Sequence, residues 1–147
     1  MNKGAFIDRL LSRCDTSLLE VPMINWMLDP ILMAYVAFKF NRATAEHHNI
    51  LRRGAYQLVL IVEKGFSKSL QEQLPQLLLQ RSCAVGEVLK AINERSKLSN
   101  TYFASGAEKD ILHSLYPTLR QICEHLPIGL AERTFEESVF AIAGVKK

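Results

Sequence analysis

The sequence predicts an all-α protein, built as a single-domain bundle or orthogonal array of six to eight short helices within residues 1–147. Apolar residues recur at helical spacing, and seven Gly with five Pro are too few for a loop-rich β architecture. Capping boxes, in which a Ser or Thr and a Glu three residues later satisfy each other's backbone N–H groups, indicate helix starts. Four such boxes occur, at residues 17–20, 69–72, 105–108 and 134–137.

The N-terminal third contains three predicted helical segments. The first covers residues 3–14, and the second, a short and irregular one, covers residues 17–28. Asp29 as N-cap and Pro30 at the first helical position then predict a third helix over residues 31–40. Because this third segment is apolar on every side, we expect it to be the buried central element of the bundle.

The middle of the chain predicts a longer helix over residues 45–64, followed by Gly65 at a position that favours positive φ. Its run 56–62 is rich in β-branched and aromatic residues and would also suit a buried strand. We reject the strand because no second run could pair with its backbone groups. From Ser67 the chain is rich in Leu and Gln, and Pro75 either kinks one helix or starts a second.

The last part of the chain shows the same alternation of apolar periodicity and breaks. In order, we expect a helix over residues 84–95, a loop over 96–104, a helix over 106–116, a break at Pro117 with continuation to His125, and a final helix inside 130–143 that ends at Gly144.

Composition indicates a soluble cytoplasmic protein. The chain has 18 Lys and Arg against 15 Asp and Glu, which gives a net charge of +3. Nucleic-acid-binding proteins are typically much more strongly basic. Cys14, Cys83 and Cys123 are far apart and form no C-x-x-C pair, so the sequence suggests neither a disulfide framework nor a zinc site. Free cysteines fit a protein in a reducing compartment. The most apolar window, residues 21–40, is interrupted by Asn, Asp and Lys, so we expect no membrane span.

No motif of an enzyme or of a cofactor site stands out. Cys123 and His125 are two residues apart, so on a helix they face away from each other. Glycine-rich phosphate loops and the common hydrolase and metalloprotease signatures are not found. We therefore expect no enzymatic activity and no cofactor, with an enzyme lacking a recognisable motif as the third hypothesis.

The densest polar cluster is a basic one. It comprises Arg42, His47, His48, Arg52 and Arg53. Adjacent histidines diverge by about 100° on a helix, and no H-x-x-x-H pair is present, so we expect no metal site. The cluster predicts either a solvated helix face or a basic patch for an acidic partner or a phosphate backbone.

A helix-turn-helix around residues 86–103 is the alternative hypothesis for function. Residues 86–95 would form the first helix, and the polar residues 99–103 would contact DNA, with Lys90, Arg95 and Lys97 nearby. Residues 104–106 cut the second helix to about one turn, and a short polar loop between bundle helices explains the same residues, so DNA binding is not the favoured hypothesis.

Large apolar side chains are concentrated in one short region, and they lead to the favoured hypothesis. Met23, Trp26, Met27 and Tyr35 belong to types that are enriched on binding surfaces, although they would also suit a core. We expect a protein-protein interaction module that acts as adaptor, regulator or inhibitor. The sequence also allows a homodimer.

Overall fold

The computed structural model describes residues 18–65 and 73–143, and every regular element within these ranges is an α-helix. The helices are α1 (Val21–Lys39), α2 (Ala45–Gly65), α3 (Gln73–Ser99), α4 (Gly106–His113), α5 (Leu115–Cys123) and α6 (Ile128–Ala143). The all-α prediction is therefore confirmed. Ser114, between α4 and α5, keeps a right-handed helical backbone, so these two form one nearly continuous body. Counted in this way, the described ranges hold five helical bodies, slightly fewer than the number predicted.

Helix α1 runs without interruption through Pro30, so the predicted division between residues 28 and 31 is wrong. A proline has no N–H, which leaves the carbonyl of Trp26 without its helical donor. Both residues are exposed, so water can replace that donor. On the opposite side, burial of Ile31, Ala34 and Phe38 favours a continuous helix.

Helix α3 is one helix over a stretch for which the sequence predicts two helices and the start of a loop. Pro75 lies in its first turn, where a missing N–H is tolerated. The helix continues beyond Arg95 because Ser96, 8 % exposed, faces the core. Asn100, with a φ of 57°, follows its end, so the loop is shorter than the predicted 96–104.

Other boundaries agree more closely with the sequence. The predicted helix 45–64 corresponds to α2, which excludes a strand at 56–62, and the predicted final helix corresponds to α6. Pro117 lies in the first turn of α5 instead of at a break, which falls at Ser114. The helix expected over residues 3–14 and the stop at Gly144 lie outside the described residues.

The capping boxes have different outcomes. In the box at 105–108, the Ser105 hydroxyl accepts from the Glu108 N–H at 3.2 Å, and a Glu108 carboxylate oxygen accepts from the Ser105 N–H at 2.9 Å. The box at 134–137 is wrong, because Thr134 lies inside α6 and its hydroxyl donates to the Leu130 carbonyl at 2.9 Å. Ser17 and the box at 69–72 lie outside the described residues.

The core is centred on α2, and not on α1 as predicted. Helix α2 packs against α1, α3, α5 and α6. Gly54 lies where α1 and α5 approach it: a Cβ atom here would lie 2.8 Å from Ile31 Cδ1 and 3.2 Å from Leu115 Cδ2. The missing side chain of Gly54 thus fixes how closely the inner side of α1 can pack.

Candidate functional site

Helix α1 is apolar around most of its circumference, but only its inner side is buried. The inner side consists of Ile24, Met27, Leu28, Ile31, Ala34 and Phe38. On the outer side, Trp26 is 73 % exposed, Met33 64 % and Phe40 62 %. Trp26 and Met33 lie in α1, and Phe40 is the C-cap residue directly after it. The three follow one another at intervals of seven residues, or two helical turns, and we refer to them as the outer stripe. The outer stripe is a line of large apolar side chains, about 21 Å long, that faces solvent.

The four side chains predicted to contact a partner have different surroundings in the structure. Trp26 is exposed, whereas Met27 is 4 % exposed and belongs to the core. Met23 and Tyr35 are half-buried and pack against the core from its edge. Met33 and Phe40 belong to the same apolar region of the sequence but were not among these four, although their spacing of seven and fourteen residues from Trp26 was a signal for a shared helix face.

The Trp26 indole is supported by side chains from two other helices. Its ring centroid lies 5.5 Å from that of Phe135 in α6, with the planes tilted by 51°. The Arg53 guanidinium of α2 lies over the same Phe135 ring, 4.7 Å from its centroid. Aromatic contacts and cation–π contacts of this kind each favour a defined geometry. The exposed indole therefore packs against a phenyl ring that is also in contact with a buried guanidinium.

Arg53 and Gln57 place polar groups in the interior without full hydrogen bonding. Arg53 is 8 % exposed and Gln57 0 %. Arg53 Nη1 and Gln57 Oε1 have no hydrogen-bond partner, while Gln57 Nε2 lies 3.6 Å from the sulfur of Met27. Burial lowers the pKa of Arg53 to about 10, because desolvation disfavours the charged guanidinium.

The predicted basic patch does not form as one surface. Its members Arg42 and Arg52 are exposed, but His48 and Arg53 are buried. His48 Nε2 lies 2.8 Å from the Leu89 carbonyl oxygen, which can only accept, so this nitrogen donates. His47 Nδ1 accepts from the Thr44 N–H at 3.0 Å, which ties this imidazole to the start of α2. Two exposed arginines remain of the five residues in the predicted patch.

The segment proposed as a helix-turn-helix has a different geometry. Residues 86–99 belong to a single helix, α3, and the described backbone from residue 100 to 105 is not helical. Arg95 Nη1 donates to Glu108 at 3.1 Å, and Lys97 lies 3.4 Å from Glu94. Lys90 is exposed. The second helix expected within residues 99–103 is therefore not formed, and two of the three nearby cations face carboxylates.

An open cleft of about 480 Å³ lies between the α1–α2 turn and the loop before α4. Its lining consists of Asn41, Ala43, Thr44, Ala45, Asn100, Thr101, Tyr102 and Phe103. These side chains offer amide and hydroxyl groups but no carboxylate, imidazole, ammonium or thiol. The cleft can form hydrogen bonds, yet it holds no group suited to acid-base work near neutral pH.

The thiols and metal-ligating side chains give no reaction centre in the described ranges. Cys83 and Cys123 are free thiols, exposed and buried respectively. Burial, and to a smaller extent Glu124, raises the pKa of Cys123 to about 12, which keeps it protonated and unreactive. No group of three His, Cys, Asp or Glu within residues 18–65 and 73–143 could hold a metal ion.

Helix α1 also has the length and hydropathy of a membrane-crossing segment, and it is the one helix in the described ranges that does. A single helix of this kind is weak evidence for a membrane span, because the core helix of a soluble protein and a signal sequence near the N-terminus meet the same criterion. Of the most apolar window of α1, 33 % is buried inside the fold. This finding is consistent with the predicted absence of a membrane span.

Comparison of the chain with protein-family models, with curated proteins and with solved structures gives no match. The arguments for function therefore depend on the surfaces of this molecule alone.

Proposed function

We propose that the protein is a non-enzymatic protein-protein interaction module, acting as an adaptor, regulator or inhibitor, and that it contacts its partner through the outer stripe of α1. The observation that carries this proposal is the exposure of Trp26 and Met33 on one line of α1, continued by Phe40 at its C-cap. Large apolar side chains aligned along one exposed face are uncommon on monomeric proteins, and here only Asp29, between Trp26 and Met33, brings a charge to the face. Aromatic and Met side chains are the types enriched in the centres of interfaces.

The support beneath Trp26 suits a binding anchor. A side chain held by Phe135 and, through it, by Arg53 has less rotational freedom to lose when a partner covers it. Trp is also among the residues that most often dominate the free energy of binding at an interface. We expect Trp26 to contribute most to affinity, with Met33 and Phe40 extending the contact along the helix.

A cytoplasmic location belongs to the same proposal. Cys83 and Cys123 are free thiols, as is usual in a reducing compartment. DNA binding has weaker support, because Arg95 and Lys97 face carboxylates.

Site-specific photo-crosslinking in the source cell tests the proposed function. A photoreactive amino acid is incorporated at position 33, and in a control protein at position 98, where Leu98 is 93 % exposed on α3. Mass spectrometry identifies the crosslinked protein, and its affinity is then measured by calorimetry for wild type, Met33→Asp and Leu98→Asp. We expect crosslinks from position 33 only, and loss of affinity in Met33→Asp only. Equal crosslinking from both positions, or none from position 33, would contradict the proposal.

A further inference from the structure

We infer that the partner seated on the outer stripe is a second copy of this chain, with the two α1 helices packed antiparallel around a two-fold axis at Met33. This inference rests on the proposed function and names its partner. The spacing of Trp26, Met33 and Phe40 is symmetric about Met33, with seven residues on each side. A two-fold axis at Met33 therefore places Trp26 of one copy opposite Phe40 of the other.

The charges of α1 select the antiparallel direction. Helix α1 contains one acidic residue, Asp29, and one basic residue, Lys39, and both are exposed. Lys39 Nζ lies 5.7 Å from the ring centroid of Phe40, so the ammonium is at the Phe40 end of the stripe. Antiparallel pairing brings Asp29 of one copy within a helical turn of Lys39 of the other, twice per dimer. Parallel pairing in register would instead place like charges opposite each other.

The exposed area of the outer stripe limits how tightly two copies can associate. Side chains separated by seven residues share one helix face, and a shallow crossing keeps two such faces near each other; Asp29 lies between Trp26 and Met33 on this face, at the edge of the contact. Three large side chains of about 150 to 250 Å² each, roughly two-thirds exposed, can remove about 300 to 500 Å² per copy, which is the size of a weak, transient contact. We therefore expect a weak dimer that dissociates on dilution, with a dissociation constant on the order of micromolar.

Analytical ultracentrifugation of the full chain from low to high micromolar concentration tests for the dimer. The mass should rise from 16.6 kDa toward twice that value. Met33→Asp puts two unpaired carboxylates on the axis and should weaken the dimer roughly 100-fold, while Leu98→Asp should leave it unchanged. Circular dichroism shows whether each variant remains folded. A wild type that stays monomeric throughout, or a dimer that Met33→Asp leaves intact, would overturn the inference.

Charge reversal tests the direction of the two helices. Asp29→Lys and Lys39→Asp each replace two attractive pairs with two repulsive ones, and each should weaken the dimer roughly 10-fold. The double variant restores opposite charges and should recover the wild-type affinity. In a parallel dimer each variant keeps like charges opposite each other, so the single variants would not weaken association. That result would contradict antiparallel pairing.

Crosslinking gives an independent measurement of direction. In a chain with Cys14→Ser and Cys83→Ser, and with Cys123 left protected in the core, a short bismaleimide should join two copies through Met33→Cys. The matched control is Phe40→Cys, whose two thiols would lie about 21 Å apart in the antiparallel dimer and should not be joined. Efficient crosslinking at both positions would contradict the arrangement.

The two proposals fail in different ways. If the chain is monomeric but photo-crosslinking from position 33 captures a different protein, the dimer is wrong and the interaction module stands. If the monomer instead binds lipid vesicles and Met33→Asp abolishes this binding, the outer stripe contacts a membrane surface and both proposals are wrong.

Discussion

Helices α1 and α2 lie side by side and depart in opposite directions from the rule that apolar side chains are buried and polar ones exposed. Helix α1 places Trp26 and Met33 in solvent, whereas α2 buries His48, Arg53 and Gln57. The polar groups of α2 make contacts inside the fold, of which the hydrogen bond from His48 to the Leu89 carbonyl is the clearest. The apolar area of the α1 stripe would leave water only through a contact with another molecule.

Under the proposed function the two departures have different roles, and they predict two classes of variant. Changes to the buried polar residues of α2 should alter the free energy of unfolding. Changes to the outer stripe of α1 should alter association and leave the free energy of unfolding nearly unchanged. The experiments below test this distinction, from the largest expected effect to the smallest.

His48→Ala should cause the largest loss. It removes the hydrogen bond to the Leu89 carbonyl, which keeps only its helical donor, and the ring contact with Tyr102, whose centroid is 5.7 Å away, and it leaves a cavity in the core. We expect the free energy of unfolding to fall by about 3 kcal/mol in urea denaturation. The exposed neighbour Asn49→Ala is the control and should change it by less than about 0.5 kcal/mol. Similar losses in both variants would show that α2 does not depend on its buried imidazole.

Arg53→Met should have an effect of opposite sign. It replaces a buried guanidinium that lacks one hydrogen-bond partner with an apolar side chain of similar length, although the contact with Phe135 is lost. We expect a gain of about 1 to 2 kcal/mol in the free energy of unfolding, against little change for the exposed Arg52→Met.

The gain in Arg53→Met should depend on pH. Because the pKa of Arg53 is lowered to about 10 in the folded protein, the unfolded chain binds more protons above that pH. The free energy of unfolding of wild type therefore rises as the pH rises above 10. The advantage of Arg53→Met over wild type should have its full size below pH 10 and shrink above it. A difference that widens above pH 10 would contradict this assignment.

Gly54→Ala tests how firmly the inner side of α1 is fixed. The added Cβ atom would lie 2.8 Å from Ile31 Cδ1, which costs packing energy, while alanine favours the helix over glycine. We expect a net loss of about 1 kcal/mol in the free energy of unfolding. Gly86→Ala in α3 is the matched control, because a Cβ atom there meets nothing within 4 Å, and it should stabilise by about 0.5 to 1 kcal/mol.

Met33→Asp should have the smallest effect on folding. The side chain is 64 % exposed, so we expect a change of less than about 0.5 kcal/mol in the free energy of unfolding, together with the loss of association described above. Thermal unfolding at low protein concentration measures the first effect without a contribution from the dimer. A loss of several kcal/mol would place the outer stripe in the core and remove the contrast between the two helices.

The sequence predicted the fold class well because periodic burial dominates the stability of each helix. It failed where local signals opposed packing. Asp29 and Pro30 resemble a helix start, yet the burial of Ile31 and Phe38 keeps α1 continuous. Thr134 resembles an N-cap, but it faces the interior of α6 and donates to the preceding turn. Ser105 succeeded because it lies at the surface, where no packing competes with the cap.

The candidate site was only partly predictable from the sequence. Trp26 was identified by residue type, but type alone could not separate it from the buried Met27 one position later. The basic cluster was misassigned because charge was given more weight than helix phase. His48 stands three residues before Leu51 and seven before Ala55, on the face that packs into the core. The direction of each face depends on tertiary packing, which a single sequence does not show.

One consequence of the outer stripe concerns how it can be observed. The chain contains a single Trp, and that residue, Trp26, lies on the stripe with 73 % of its surface in solvent. Indole fluorescence shifts to shorter wavelength when water around the ring is replaced by protein. The emission maximum of the unlabelled chain therefore reports directly on whether this face is covered, for a second copy and for any other partner.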